Sequence, residues 1–250
     1  MINSKVFVLI SLILTLVGCS GKDDMTLESK RMNNAFKLFE KAKYSMLSGN
    51  YRSAVEYLER LDSLYPFGDY SEQSQLNLIY SYYKLDDQAK GVAAADRFIR
   101  HNTKHKDLDY AYYMKGLIYY SADTGFGSDV FSSPLPEKDT ENARKSFESF
   151  AEMIRLFPNS KYAKDAQLRM FHLRNQLAKH ELFVANYYMK REAYQAALAR
   201  AQYVVDHYPR TPSVPYALHM MMTAYDLLDL PEKSENTRRV LLLNFPGFKG

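Results

Sequence analysis

The sequence predicts an all-α fold of stacked helix pairs, and three observations carry that prediction. The first is composition. The 250 residues include 21 tyrosines and no tryptophan, with ten glycines and nine prolines, and the period-two alternation of strands is nearly absent. The second is recurrence. Four segments close in an aromatic residue followed by proline: Tyr65-Pro66, Phe157-Pro158, Tyr208-Pro209 and Phe245-Pro246. Counting back from Pro66 meets Leu61, Leu58, Ala54, Tyr51 and Ala42; the same offsets from Pro209 meet Val204, Ala201, Ala197, Tyr194 and Ala185. The third is spacing. Pro246 follows Pro209 by 37 residues, and the same step from Pro66 lands on Thr103, where a repeat closes without its proline. Small residues where two antiparallel helices cross, with a proline ending the second helix, are the tetratricopeptide pattern. The predicted architecture is therefore a tetratricopeptide-repeat superhelical solenoid of about ten helices in five repeats. An irregular helical bundle with ordinary Tyr/Ala core stripes is the alternative.

Residues 1–18 read as a lipoprotein signal peptide. Lys5 precedes about a dozen mostly apolar residues, fewer than the roughly 20 that a spanning helix needs. The following Leu16-Val17-Gly18-Cys19 resembles a bacterial lipobox. That resemblance implies cleavage before Cys19, a thioether-linked diacylglycerol and an N-acyl chain, and a membrane association made by this lipid anchor. An ordinary signal with an incidental cysteine is the alternative. Ser20 in the next position resembles the outer-membrane sorting pattern. Cys19 is the only cysteine, so the rest of the chain holds together by packing alone, and its length suffices for that.

Residues 19–27 form the expected tether, and 28–250 the repeat domain. Its predicted helices are 28–48, 51–65, 70–84, 87–101, 107–121, 140–157, 161–190, 192–207, 213–229 and 231–244. The third repeat opens with Tyr112, Lys115, Gly116 and Tyr119, where a close crossing leaves no room for a Cβ at Gly116. Residues 121–138, with Gly125, Gly127, Pro134 and Pro136, form an insertion between an N-terminal half (28–120) and a C-terminal half (139–250). After Pro158 some 30 residues contain neither Pro nor Gly, and Leu168, Phe171, Leu177, Val184 and Tyr188 fit one long helix.

Residue chemistry argues against catalysis. There is no His pair with an adjacent Glu, no phosphate-cradling glycine loop and no cysteine nucleophile after Cys19. No metal and no other cofactor is implied beyond the covalent lipid. His101 and His105 have ligand spacing, but Lys104 and Lys106 add like charge, so a solvated repeat end is the reading preferred. In Met220-Met221-Met222, Met222 takes a helix-crossing position and reads as core. With Lys5 lost, the balance is +3 without a basic stripe, which argues against nucleic acid as a partner. What remains is a binding module whose inner face is made by the first helix of each pair. Within Tyr65–Gln73, Phe67, Gly68 and Tyr70 exceed what a repeat end needs. Gly68 permits a sharp turn, and Asp69 or Ser71 can cap the next helix. Phe67 reads either as a hydrophobic staple or as an aromatic lip on the groove.

Together "LVGCS", "YPFGDYSEQSQLNLIYSYYKLDD", "DRFIRHN", "DYAYYMKGL", "ARKSFESFAEMIRLFPNSKY" and "LAKHELFVANYYMKREAY" resemble the BamD family, lipoproteins of the β-barrel assembly machine. The resemblance runs from about Asn33 to Pro209. It implies a five-repeat solenoid on the periplasmic face of the outer membrane and a non-enzymatic role in folding and inserting barrel proteins. It implies as partners a BamA-type barrel protein docked through its periplasmic POTRA domain, BamC- and BamE-like lipoproteins, and unfolded barrel chains. The family's substrate region falls on Arg52, Tyr65, Phe67 and Gly68, with the guanidinium for a terminal carboxylate and the aromatics for a terminal Phe. Its basic contact to the BamA-type partner falls on Arg200. The 121–138 insertion departs from the family's more acidic loop. A lipoprotein that scaffolds a cell-wall enzyme is the alternative function.

Overall fold

The computed structural model describes residues 27–124 and 139–249. The leader, Cys19 and residues 125–138 of the expected insertion lie outside the described residues. Among the described residues there are ten helices and no strand: α1 (Leu27–Leu47), α2 (Tyr51–Leu64), α3 (Ser71–Lys84), α4 (Gln88–His101), α5 (Leu108–Thr124), α6 (Glu141–Leu156), α7 (Ala163–Lys190), α8 (Tyr194–His207), α9 (Val214–Leu227) and α10 (Pro231–Asn244). Each helix packs on its chain neighbours, and α3 also touches α5 while α7 touches α9. First helices of adjacent repeats thus line up in one layer, as a tetratricopeptide solenoid requires. Helix α5 runs through Thr124, four residues into the segment expected to be insertion.

The repeat register is written into the turns. In the four repeats whose turn is described, the residue closing the first-helix turn has a left-handed backbone: Gly49 (φ 76°), Asp86 (φ 56°), Glu192 (φ 61°) and Asp229 (φ 58°). Asp86 follows Gly49 by 37 residues, and Asp229 follows Glu192 by the same step. The next residue but one starts the second helix. Asn50 caps α2 by accepting from Ser53 N–H at 3.2 Å, and Asp87 caps α4 by accepting from Lys90 N–H at 3.1 Å. The far ends match too. Tyr65, Asn102, Phe157, Tyr208 and Phe245 each return a backbone N–H to the carbonyl four residues earlier. Asn102 stands where the other repeats have an aromatic residue, and its amide bridges Gln75 (3.3 Å) and Phe98 O (3.1 Å).

Small residues occupy the crossings. Ala54, Gly91, Ser146, Ala197 and Ser234 on the second helices are all buried. A Cβ on Gly91 would meet Ile118 Cδ1 at 2.9 Å. On Gly116 it would meet the Phe150 ring at 2.5 Å, and Phe150 is fully buried, so its ring has no place to move. Met221 and Met222 are buried, as the core reading of Met222 requires. One apolar core runs from α1 into α7, a second from α7 to α10, and Tyr208 packs against both. Gly116→Ala is therefore expected to destabilise the fold by about 1–3 kcal/mol through overpacking, outweighing the helix-propensity gain of about 1 kcal/mol. A urea midpoint equal to that of the wild type would contradict the close crossing.

Candidate functional site

Three features on this scaffold can bind. The first is a cleft of about 560 Å³ where α1 begins and α2 ends, lined by Arg31, Met32, Leu61, Tyr65, Phe67 and Tyr70, together with Gly68 and Ser71. The turn that shapes it depends on Gly68, whose φ of 131° an L side chain rarely adopts. Phe67 is 90% exposed. It does not pack as a staple; Tyr70, the N-cap residue of α3, turns instead onto α1, its ring 6.0 Å from Phe36 and 5.1 Å from Phe39. Helix α3 has no side-chain cap, contrary to the expectation for Asp69 or Ser71. Ser71 Oγ instead donates to Pro66 O at 2.6 Å, tying the turn shut.

Tyr65, Phe67 and Gly68 come together as the sequence suggests, and Arg52 does not join them. Arg52 sits at the start of α2 and Tyr65 at its end, about 20 Å apart at the helical rise. The cleft's guanidinium is Arg31, from α1. The antiparallel pairing sets the start of α1 beside the last turn of α2, but the repeat offsets mark no residue of α1 before Ala42, so sequence reasoning passed over Arg31.

The second feature is a belt of tyrosines spanning the first to fourth repeats. Tyr51 meets Tyr80 edge-on at 5.9 Å, and Tyr80 lies 6.4 Å from Tyr83. Tyr162 stacks on Tyr113 at 4.7 Å and lies 5.6 Å from Tyr110. The Tyr113 hydroxyl donates to Asp165 at 2.6 Å, the same oxygen that accepts from Arg169 Nε at 2.6 Å, and the Arg169 guanidinium covers Tyr120 at 4.9 Å. Burial is the main cause that pushes the phenols of Tyr80, Tyr82, Tyr83, Tyr110, Tyr113 and Tyr120 above the ordinary 10.0.

The third feature is a charged clasp. Glu181, in the second half of α7, is 1% exposed. Its Oε1 accepts from Arg144 Nη2 of α6 at 3.3 Å, and its Oε2 from Arg200 Nη1 of α8 at 3.0 Å. Both arginine side chains are about half exposed, 49% and 45%. The Tyr208 phenol is pushed up to about 12, first by burial, then by Tyr203 and Glu181. The clasp thus sits at the seam between the two cores. Either guanidinium alone still neutralises the buried carboxylate; removing both would leave it uncompensated, which costs about 3–5 kcal/mol. The sequence marks Arg200 but gives no sign of Glu181: a glutamate on a long helix is ordinarily solvated.

His105 is held by protein groups on every side. His105 Nδ1 accepts from Asp107 N–H at 3.0 Å, Nε2 faces Glu72 at 3.4 Å, and the ring meets Phe98 edge-on at 5.2 Å. Among the described residues no group of three or more His, Cys, Asp or Glu can hold a metal ion, and no described helix is long and apolar enough to cross a membrane.

A stack of helix pairs with small residues at the crossings, an aromatic belt and a charged clasp defines a tetratricopeptide-type helical-repeat protein. The model of the YfiO family, described as outer membrane lipoproteins, matches residues 31–241, and this chain belongs to that family. Its relatives include the outer membrane protein assembly factor BamD of Vibrio cholerae, 40% identical over 229 residues that cover 92% of this chain and 93% of that protein. BamD of Neisseria meningitidis serogroup B is 39% identical over 97% of this chain and 91% of that protein. BamD of Pasteurella multocida is 32% identical over 92% and 86%.

The raised tyrosines give a pH expectation. Each favours its neutral form in the fold, so their contribution is complete below pH 10 and is lost as pH rises through the folded values. Denaturant stability should hold flat toward pH 10 and fall from there to 12. A stability profile flat through pH 12 would contradict the burial of the belt.

Proposed function

We propose that this chain is a non-enzymatic assembly factor for outer-membrane β-barrel proteins, anchored at the periplasmic face by lipid on Cys19. The observation that carries the reading is the cleft of the first repeat. It offers a guanidinium, Arg31, beside an exposed ring, Phe67, on a turn fixed by Gly68 and Ser71. That combination suits a chain end whose last residue is aromatic and carries the terminal carboxylate. Full-length similarity to proteins named as outer membrane protein assembly factors supports the same role. Arg52 contributes to substrate only through a longer contact along α2. The C-terminal half, through Arg200, docks on the periplasmic POTRA domain of a BamA-type barrel protein, and BamC- and BamE-like lipoproteins complete the assembly.

Purification from detergent-solubilised outer membranes should bring down a barrel protein of the assembly type; recovery of a cell-wall enzyme instead would favour the scaffold alternative and overturn this reading. A peptide ending in a barrel protein's terminal Phe should crosslink to the wild type and several-fold less to Arg31→Ala/Phe67→Ala. Phe67→Ala leaves no cavity, so its stability should match the wild type within about 0.5 kcal/mol. Equal crosslinking would remove the cleft from the account. Cys19→Ala should release the chain from membranes, and retention would refute the anchor.

A further inference from the structure

We propose that Arg144 and Arg200, held in register by the buried Glu181, form a two-guanidinium seat for an acidic side chain of a protein partner. The inference rests on the reading above, in which the C-terminal half docks on a barrel-forming protein. It adds Arg144 to the docking surface and makes Glu181 its positioning residue.

Charge is the first argument. A buried carboxylate needs one cation to be neutralised, and this one has two, leaving a charge of +1 at the seam. Donor capacity is the second. A guanidinium has five N–H donors, and among the described residues each arginine gives Glu181 a single nitrogen: Nη2 from Arg144, Nη1 from Arg200. The remaining donors belong to side chains that are half exposed. Because the two guanidiniums grip opposite oxygens of one carboxylate, neither swings freely, and a second carboxylate arriving from solvent meets forks that are already ordered. Surroundings are the third. Arg200, Tyr203 and His207 recur at i, i+3 and i+7 on one face of α8. Tyr203 is 37% exposed and stacks on His207 at 3.9 Å, and Tyr208 lies behind it at 5.8 Å. Arginine set among exposed tyrosine is the composition of a protein–protein hot spot. The chain's small net charge, +4 in all, argues against a nucleic-acid strand at this face.

The test measures binding of the full-length lipoprotein to the detergent-solubilised full-length BamA-type protein from the same cell, across a salt series. Arg144→Ala and Arg200→Ala should each weaken binding about tenfold, equal to 1.4 kcal/mol, and both should flatten the salt dependence. Arg144→Lys keeps the charge without the fork and should recover part of the loss. Glu181→Gln should weaken binding about fivefold, because an amide oxygen can anchor one guanidinium and its NH2 none. Crosslinking of the barrel peptide at the first-repeat cleft should be unchanged in all four variants, showing that the fold is intact. If Arg144→Ala and Arg144→Lys both bind as tightly as the wild type while Arg200→Ala does not, Arg144 is no part of the seat and the proposal fails. If Glu181→Gln binds as tightly as or tighter than the wild type with an unchanged salt slope, the positioning role fails. If the wild type itself does not bind the barrel protein, the functional reading falls first and the seat with it.

Discussion

Each repeat closes on a residue too small to keep its two helices apart, and the rest of the molecule follows from that. Ala54, Gly91, Ser146, Ala197 and Ser234 let each second helix sink against its partner, and Gly116 lets the Phe150 ring lie flat where a Cβ would stand. Close crossings fix the distance between helices. A fixed distance repeated five times makes a stack in which first helices touch first helices. The tyrosine belt is a consequence of that closeness: Tyr51 reaches Tyr80, and Tyr113 reaches Tyr162, only because their helices are held near. Aromatic side chains then supply in area what the small residues give up.

The fold was largely legible because its determinants are local and periodic. Alanine and proline offsets recur at a constant interval, and all ten helices appear where those offsets place them. The left-handed turn residues were invisible, since Asp86, Glu192 and Asp229 are not glycine and their backbone is dictated by the helices on either side. At the cleft, Tyr65, Phe67 and Gly68 could be read because one short turn carries them. Arg31 could not, since its neighbour in space is some 35 residues away in the chain. Arg52 was grouped with the turn by family position, and the length of α2 separates them. Glu181 is the plainest case of what a sequence hides. Its burial depends on α6 and α8 converging on α7, and a helical period does not reveal which polar residue falls at such a seam.

The two surfaces proposed for recognition differ in kind as well as in place. The first-repeat cleft presents a single guanidinium and an exposed ring on a tied turn, suited to the end of an extended chain. The clasp presents two guanidiniums already ordered by a buried carboxylate, suited to a folded surface. Between them lies a continuous core that Tyr208 joins to its C-terminal extension. The cleft is built from α1, α2 and the turn after it, the clasp from α6, α7 and α8, and they share no residue. Occupying one therefore removes nothing from the other.

Sedimentation of the full-length lipoprotein with the barrel-forming partner and a barrel C-terminal peptide, together and in pairs, tests that separation most directly. The account predicts one complex containing all three, with the peptide's affinity the same whether or not the partner is present. Displacement of the peptide by the partner would contradict it, because the two surfaces would then be one.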